Sequence, residues 1–176
     1  REDRLRKLIL RVASILAPSP EKSLRAVVAP YRRWRDPRKG VDELLRNGSL
    51  ERQIVAGVAY VWPVTGVTST DEAAQGVRFL APFDPLVWDR LRFEHLWGWS
   101  YRFEAYTPAS QRVRGYYAMP MLWNDRVIGW VNIAVDNGGL RIEPGFVSKR
   151  PADRRFHSEL ECEVERFKAF LDSGPH

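Results

Sequence analysis

Residues 36–64, DPRKGVDELLRNGSLERQIVAGVAYVWPV, decide the fold. Asp36-Pro37 marks a helix start: the acid accepts from free N–H groups of the first turn, and a proline at the first helical position gives up no hydrogen bond. Val41, Leu44 and Leu45 then form an apolar stripe, and Asn47-Gly48 is a C-terminal stop. Two strand-like runs follow, Leu50 to Val55 and Val58 to Val64, separated by Ala56-Gly57, which reads as a hairpin turn.

Upstream, Leu5, Leu8, Ile9, Val12, Ile15 and Leu16 recur at helical spacing, with Arg4, Arg6, Lys7 and Arg11 on the other face. Pro18 ends that helix. Ser19 is predicted to cap a second one, with Pro20 at its first position and Leu24, Val27 and Val28 facing inward, until Pro30 interrupts it. Three short helices and a hairpin over residues 1–64 are the pattern of a winged helix, whose third helix enters a major groove while the hairpin touches backbone beside it. The same module also serves elsewhere as a packing or protein-contact unit.

Downstream, residues 65–76 are polar and read as a linker. Residues 77–176 turn to strands. Trp99, Tyr101, Phe103 and Ala105 alternate with Ser100, Arg102, Glu104 and Tyr106. Val113 to Trp123 and Arg126 to Val135 flank the Asn124-Asp125 turn, and Asp136-Asn137-Gly138-Gly139 leads into Leu140 to Glu143. Consecutive short strands predict a small antiparallel β-barrel. A closing helix carries Phe156, Leu160, Val164, Phe167 and Leu171 on one stripe, with Glu165 and Lys168 placed to pair. The expected class is α+β: a winged-helix domain followed by an antiparallel β-barrel with a C-terminal helix.

The 176 residues suffice for one large domain or two small ones, with ordinary globular composition. One cysteine, Cys162, excludes a disulfide framework and a cysteine-built zinc site. The longest nearly apolar run, Ile54 to Trp62, is too short for a membrane span, which needs about 20 residues. No secretory signal is visible, so a soluble, cytoplasmic protein without membrane contact is expected. The chain begins with Arg1 rather than Met, which fits a fragment or a trimmed form.

Net charge is +6, and its distribution is uneven. Residues 1–64 carry 14 basic and 7 acidic side chains, whereas residues 65–176 carry 14 and 15. The basic excess therefore lies in the first third, which suggests a polyanion-facing module joined to a neutral one. Most of these cations are arginines, whose forked guanidinium suits phosphate. Arg32, Arg33, Arg35, Lys39 and Arg46 are the candidate DNA contacts, with Arg25 and Arg38 beside them. Asp36, Asp42 and Glu43 place negative charge on or near the third helix and oppose phosphate there.

His95, His157 and His176 are scattered, so neither metal nor cofactor is expected, and no phosphate-binding glycine loop or Gly-x-Ser-x-Gly elbow occurs. Asp84, held between prolines in Ala81-Pro82-Phe83-Asp84-Pro85, and Glu104, among aromatics, are weak candidates for a general base; Asp before Pro also commonly caps a helix. Nine Trp and Tyr rings between Trp88 and Trp130 are interspersed with arginines, a mixture that suits an unstacked base as well as a core. Arg112, Arg114, Tyr116 and Tyr117 are the surface candidates among them.

Three stretches resemble a known family: residues 80–90 (LAPFDPLVWDR), 101–108 (YRFEAYTP) and 112–120 (RVRGYYAMP). They are similar to the bacterial winged-helix DNA glycosylases of the AlkZ/YcaQ type, crosslink-repair enzymes that excise alkylated purines. The likeness spans roughly residues 1–172 and is most specific from 80 to 132. It implies tandem winged helices followed by a β-barrel, of which this chain matches the last winged helix and the barrel. It implies damaged double-stranded DNA as partner and base excision through a Gln-apolar-Gln pair, or a Gln-x-Asp variant, in an N-terminal region. Gln53, Gln75 and Gln111 are isolated here, so that motif is absent and an N-terminal half of the same protein is an expected partner. Two positions depart from the family pattern: Gln111 stands where Lys is expected, and Gly129-Trp130-Val131-Asn132 replaces Gly-Arg-Val-Asp. Two rival readings stand beside this one, a non-enzymatic module that binds DNA or a protein, and an enzyme using Asp84 or Glu104 as its base.

Overall fold

The computed structural model describes residues 2–33, 36–64, 75–136 and 139–173. The chain divides into two compact units, Arg1–Ser69 and Thr70–His176.

The first unit runs α1 (Glu2–Leu16), β1 (Ser19–Pro20), α2 (Glu21–Val28), a 3-10 turn (Ala29–Arg33), α3 (Pro37–Arg46), β2 (Leu50–Val55) and β3 (Val58–Pro63). Leu5, Ile9 and Ala13 lie four apart on α1 and are buried against Leu24, Val28, Val41, Leu44 and Val61. Gly40 lets α1 and α3 approach closely, since a Cβ there would come within 2.8 Å of Ile9 Cδ1. Asp36 caps α3 by accepting from the Arg38 N–H, with Pro37 at the first position. The β2–β3 turn has positive φ at both Ala56 (45°) and Gly57 (83°), the geometry that matches the twist of a two-residue hairpin.

Ser19 does not cap α2. Ser19 and Pro20 instead pair antiparallel with Val61 and Tyr60, giving a three-stranded sheet in the order β1-β3-β2, and α2 starts at Glu21 without a side-chain cap. Backbone pairing along β3 outweighs the local cap because it buries both residues.

The second unit runs β4 (Val77–Phe79), α4 (Pro85–Trp88), α5 (Arg90–Trp97), a largely irregular stretch, β5 (Met119–Trp123), β6 (Arg126–Asp136), β7 (Gly139–Phe146) and α6 (Arg154–Asp172). Its antiparallel sheet has the order β4-β5-β6-β7 and is open, so the expected barrel does not close. Two features explain this. First, the alternating run from Trp99 to Tyr106 is not a strand. Trp99 and Tyr101 are buried, but their polar tips bond the sheet backbone: Trp99 Nε1 donates to the Val127 carbonyl (3.0 Å) and the Tyr101 hydroxyl to the Ala118 carbonyl (2.7 Å). Their alternation records rings packing on a sheet rather than a ladder within one. Second, α6 covers the β4 edge, where the buried Glu163 accepts from the Phe79 N–H (2.8 Å).

The strand expected from Val113 begins only at Met119, because the N–H groups of Val113, Arg114 and Gly115 point to the Glu104 carboxylate instead of a neighbouring strand. Asp153 caps α6, and Phe156 and Leu160 bury against Val77 and Met121. Glu165 and Lys168 pair at 2.5 Å. Of the expected linker, residues 65–74 lie outside the described residues, as do Asn137 and Gly138 of the last turn.

Candidate nucleic-acid interface

In the first unit the exposed face of α3 carries Lys39, Asp42 and Arg46, three and four residues apart, with Glu43 beside them. Both acids are neutralised from within the fold. Arg25 of α2 reaches Asp42 at 2.5 Å, and Arg6 of α1 reaches Glu43 at 3.1 Å. Arg25 also holds Glu21 (2.7 Å), which binds Arg52 of the hairpin at 2.7 Å. Burial alone would raise the Glu21 carboxyl, but Arg25 and Arg52 outweigh it and hold the group below its ordinary value of 4.5. Arg25 is likewise held above its ordinary value: burial opposes its charge, and Asp42 and Glu21 more than compensate. Lys39, Arg46 and the exposed Arg32 form no ion pair with another described residue. Of the acids that oppose phosphate in the bare sequence, Glu43 and Asp42 are thus matched by Arg6 and Arg25, Asp36 is engaged in capping the helix, and Lys39 and Arg46 remain on the exposed face of α3. Arg35 and the side chain of Arg33 lie outside the described residues.

In the second unit, Glu104, Arg112, Arg114, Tyr116 and Tyr117 meet at one corner of the sheet. Glu104, only 7% exposed, accepts from three successive backbone N–H groups, Val113 (2.9 Å), Arg114 (2.8 Å) and Gly115 (3.3 Å). Arg114 turns inward, its guanidinium carbon 5.2 Å from the Trp99 ring centroid and 5.5 Å from that of Trp130, and donates to the Ser100 carbonyl. Arg112 donates to the Thr107 carbonyl and lies over the Tyr116 ring at 4.9 Å. Gly115 sits at φ 127°, where a Cβ would overlap the Asn132 amide, and Asn132 donates to the Arg114 carbonyl at 2.5 Å. The 112–117 loop is therefore pinned from three sides, and it presents Tyr116 and Tyr117 outward, 60% and 44% exposed.

Asp84 is not part of this corner's polar network: it caps α4 by accepting from the Leu86 N–H at 2.8 Å. Its loop meets the corner through rings, Phe83 on Phe103 at 5.4 Å. Most of the remaining aromatics are core, with Phe93 packed against Trp97, Trp99 and Tyr101. Arg92, in sequence one of the arginines among the rings, is 2% exposed and bonds the Pro85 carbonyl. Burial pushes the Tyr101 hydroxyl above its ordinary range. Among the described residues no group of three His, Cys, Asp or Glu is arranged to hold a metal.

A family model described as DNA glycosylase AlkZ-like matches residues 1–170. The chain belongs to the AlkZ-like DNA glycosylase family. The three stretches that resembled that family fall, in this AlkZ-like chain, on the β4–α4 loop with α4, on the irregular ring-bearing segment, and on the pinned loop with the start of β5. No solved structure gives a significant match to this family member. Among its described residues no helix is long and apolar enough to cross a membrane.

A pocket of about 380 Å³ opens beside the pinned loop of this AlkZ-like chain, and sequence reasoning did not find it. Besides Arg114 to Tyr117 it is lined by Asn132, Ala134, Arg141 and Glu143, among others. The signal was the pairing of β6 with β7: Asn132 opposes Glu143 and Ala134 opposes Arg141, which places all four on one face of the hairpin.

Proposed function

We propose that this chain is the DNA-gripping, C-terminal region of an AlkZ-like repair glycosylase that excises alkylated purines or unhooks interstrand crosslinks. The three helices and the β1-β3-β2 sheet support a winged-helix reading of the first unit, with α3 as the groove-facing helix and β2–β3 as the wing. The observation that carries the proposal is the outward face of α3, where Arg6 and Arg25 match Glu43 and Asp42 and leave Lys39 and Arg46 to meet phosphate, with Arg32 nearby in sequence. Arg33 and Arg35 belong to the same basic run. In the second unit Arg112, Tyr116 and Tyr117 extend the DNA-facing set, while Arg114 acts by fixing the loop that carries them.

Excision breaks the C–N bond to the sugar; water supplies the hydroxyl that replaces the base. The residues that position this water in the family are a glutamine pair, and Gln53, Gln75 and Gln111 do not form one in sequence. Bond cleavage therefore belongs to residues outside these 176. The assignment of a base role to Asp84 or Glu104 is weakened by what those carboxylates already do, a helix cap in one case and three backbone hydrogen bonds in the other. The non-enzymatic reading, in which the chain binds DNA or a partner chain and cuts nothing at all, shares the α3 face where the ligand is DNA.

Titration of a fluorescent duplex, followed by anisotropy, tests the proposal. Saturable binding that weakens steeply as salt rises is expected, because cations on the protein release counterions from the duplex. Binding that ignores salt, or no binding, defeats it.

A further inference from the structure

We infer that the pocket beside the pinned loop is a site for one unstacked nucleotide of a DNA strand, separate from the duplex-gripping face of α3. This rests on the proposed DNA-binding reading and adds a second kind of contact to it. The pocket's volume of about 380 Å³ is at the small end of the range that takes a single organic ligand.

Its walls divide by chemistry. Tyr116 offers a stacking face: Arg112 covers one side of the ring at 4.9 Å, and the ring nevertheless remains 60% exposed. Tyr117 stands next to it, buttressed edge-on by Phe103 at 5.1 Å. A rigid, outward-facing ring is what a base without stacking partners needs, and any base can use it because every base has a π-face. On the floor, Arg141 has a 61% exposed side chain whose Nε lies 3.5 Å from Glu143, and this leaves its terminal nitrogens for a phosphate. Glu143 supplies an acceptor for the exocyclic amine that adenine, cytosine and guanine carry and thymine lacks.

The surroundings are built to hold this geometry. Glu104 fixes three consecutive N–H groups of the loop, Asn132 fixes the Arg114 carbonyl, and only glycine fits at position 115. Such anchoring has little use for a loop that only connects two elements, whereas preorganised rings lower the ordering cost of binding.

The test compares a fully paired duplex with the same duplex carrying one bulged 2-aminopurine, a fluorescent base that dims when stacked. Anisotropy gives affinity, and the probe's own emission reports stacking. The intact chain is expected to prefer the bulged duplex by about tenfold, the scale of one base stacked on an aromatic ring, and to quench the probe. Tyr116→Ala and Arg141→Ala each reduce the preference toward unity, and Arg141→Ala leaves paired-duplex affinity within about twofold. Tyr116→Phe retains it, since the ring rather than the hydroxyl stacks. A bulged adenine binds more tightly than a bulged thymine, and Glu143→Ala removes that difference. Lys39→Ala with Arg46→Ala weakens both duplexes alike and keeps their ratio.

Equal affinity of the intact chain for the two duplexes overturns the pocket assignment and leaves the α3 reading standing. So does a preference and quenching that survive both Tyr116→Ala and Arg141→Ala. Failure to bind either duplex overturns both. Displacement of the bulged strand by free deoxyadenosine monophosphate at equal concentration also overturns it, since the site is assigned to a nucleotide within a strand.

Discussion

Replacing Lys39 and Arg46 together by alanine tests the electrostatic contact most cleanly. Both side chains are exposed on α3, and neither pairs with another described residue, so folding is expected to be preserved. Each phosphate neutralised contributes about 0.9 to the slope of log affinity against log salt, so loss of two contacts lowers that slope by about 1.8. Between about 50 and about 200 mM salt, wild-type affinity is then expected to fall about 12-fold further than that of the double variant. Anisotropy titrations of one labelled duplex at several salt concentrations measure it. Lys168→Ala is the control: this lysine of α6 is engaged by Glu165 at 2.5 Å and lies outside the assigned contacts, so its removal should leave the slope unchanged. A double variant with the wild-type slope refutes the assignment of Lys39 and Arg46 to phosphate, whatever happens to absolute affinity.

Three further outcomes are expected. Glu21 has a lowered folded-state pKa, so its ion pairs add stability above its ordinary value of 4.5 and lose it as pH falls through the lower folded value; acid titration of Glu21→Gln, followed by circular dichroism, should show a shallower loss below about pH 4.5 than wild type. Ala56 occupies left-handed backbone at φ 45°, so Ala56→Asn should stabilise the first unit by about 1 kcal/mol, visible as a rise of about 4–8 °C in its melting temperature. Glu104→Gln keeps an oxygen for the three N–H groups, all of which meet one carboxylate oxygen, but removes the charge that strengthens these bonds; a loss of about 1–3 kcal/mol and faster hydrogen exchange at Val113 to Gly115 are expected.

What the sequence made legible were the features set by neighbours along the chain. Asp36-Pro37, Asp84-Pro85 and the Ala56-Gly57 turn announce themselves because caps and tight turns depend on two or three adjacent residues. Ser19 carried the same kind of signal and was overruled by pairing with a strand 42 positions on, which no local pattern contains. Trp99 to Tyr106 show why periodicity is ambiguous: a two-residue rhythm appears whenever every second side chain is buried, with or without a partner strand.

The candidate site divides along the same line. Lys39 and Arg46 could be picked from charge and helical spacing. That Asp42 and Glu43 would be matched by Arg25 and Arg6, 17 and 37 residues away, could not. Arg112 and Arg114 look alike in sequence, yet Arg114 is drawn inward to the neighbouring rings of Trp99 and Trp130, each within about 5.5 Å of its guanidinium carbon. Arg141 and Glu143 went unnoticed because they matter only once β7 is registered against β6.

Abasic-site formation by this chain alone is the most direct test of a gripping region without cleavage chemistry. Duplex DNA bearing a methylated purine, held saturated with the intact chain and then treated with alkali, is expected to remain uncut while anisotropy shows it bound. Alkali-labile breaks at the modified base, abolished by Asp84→Asn or Glu104→Gln, would contradict it.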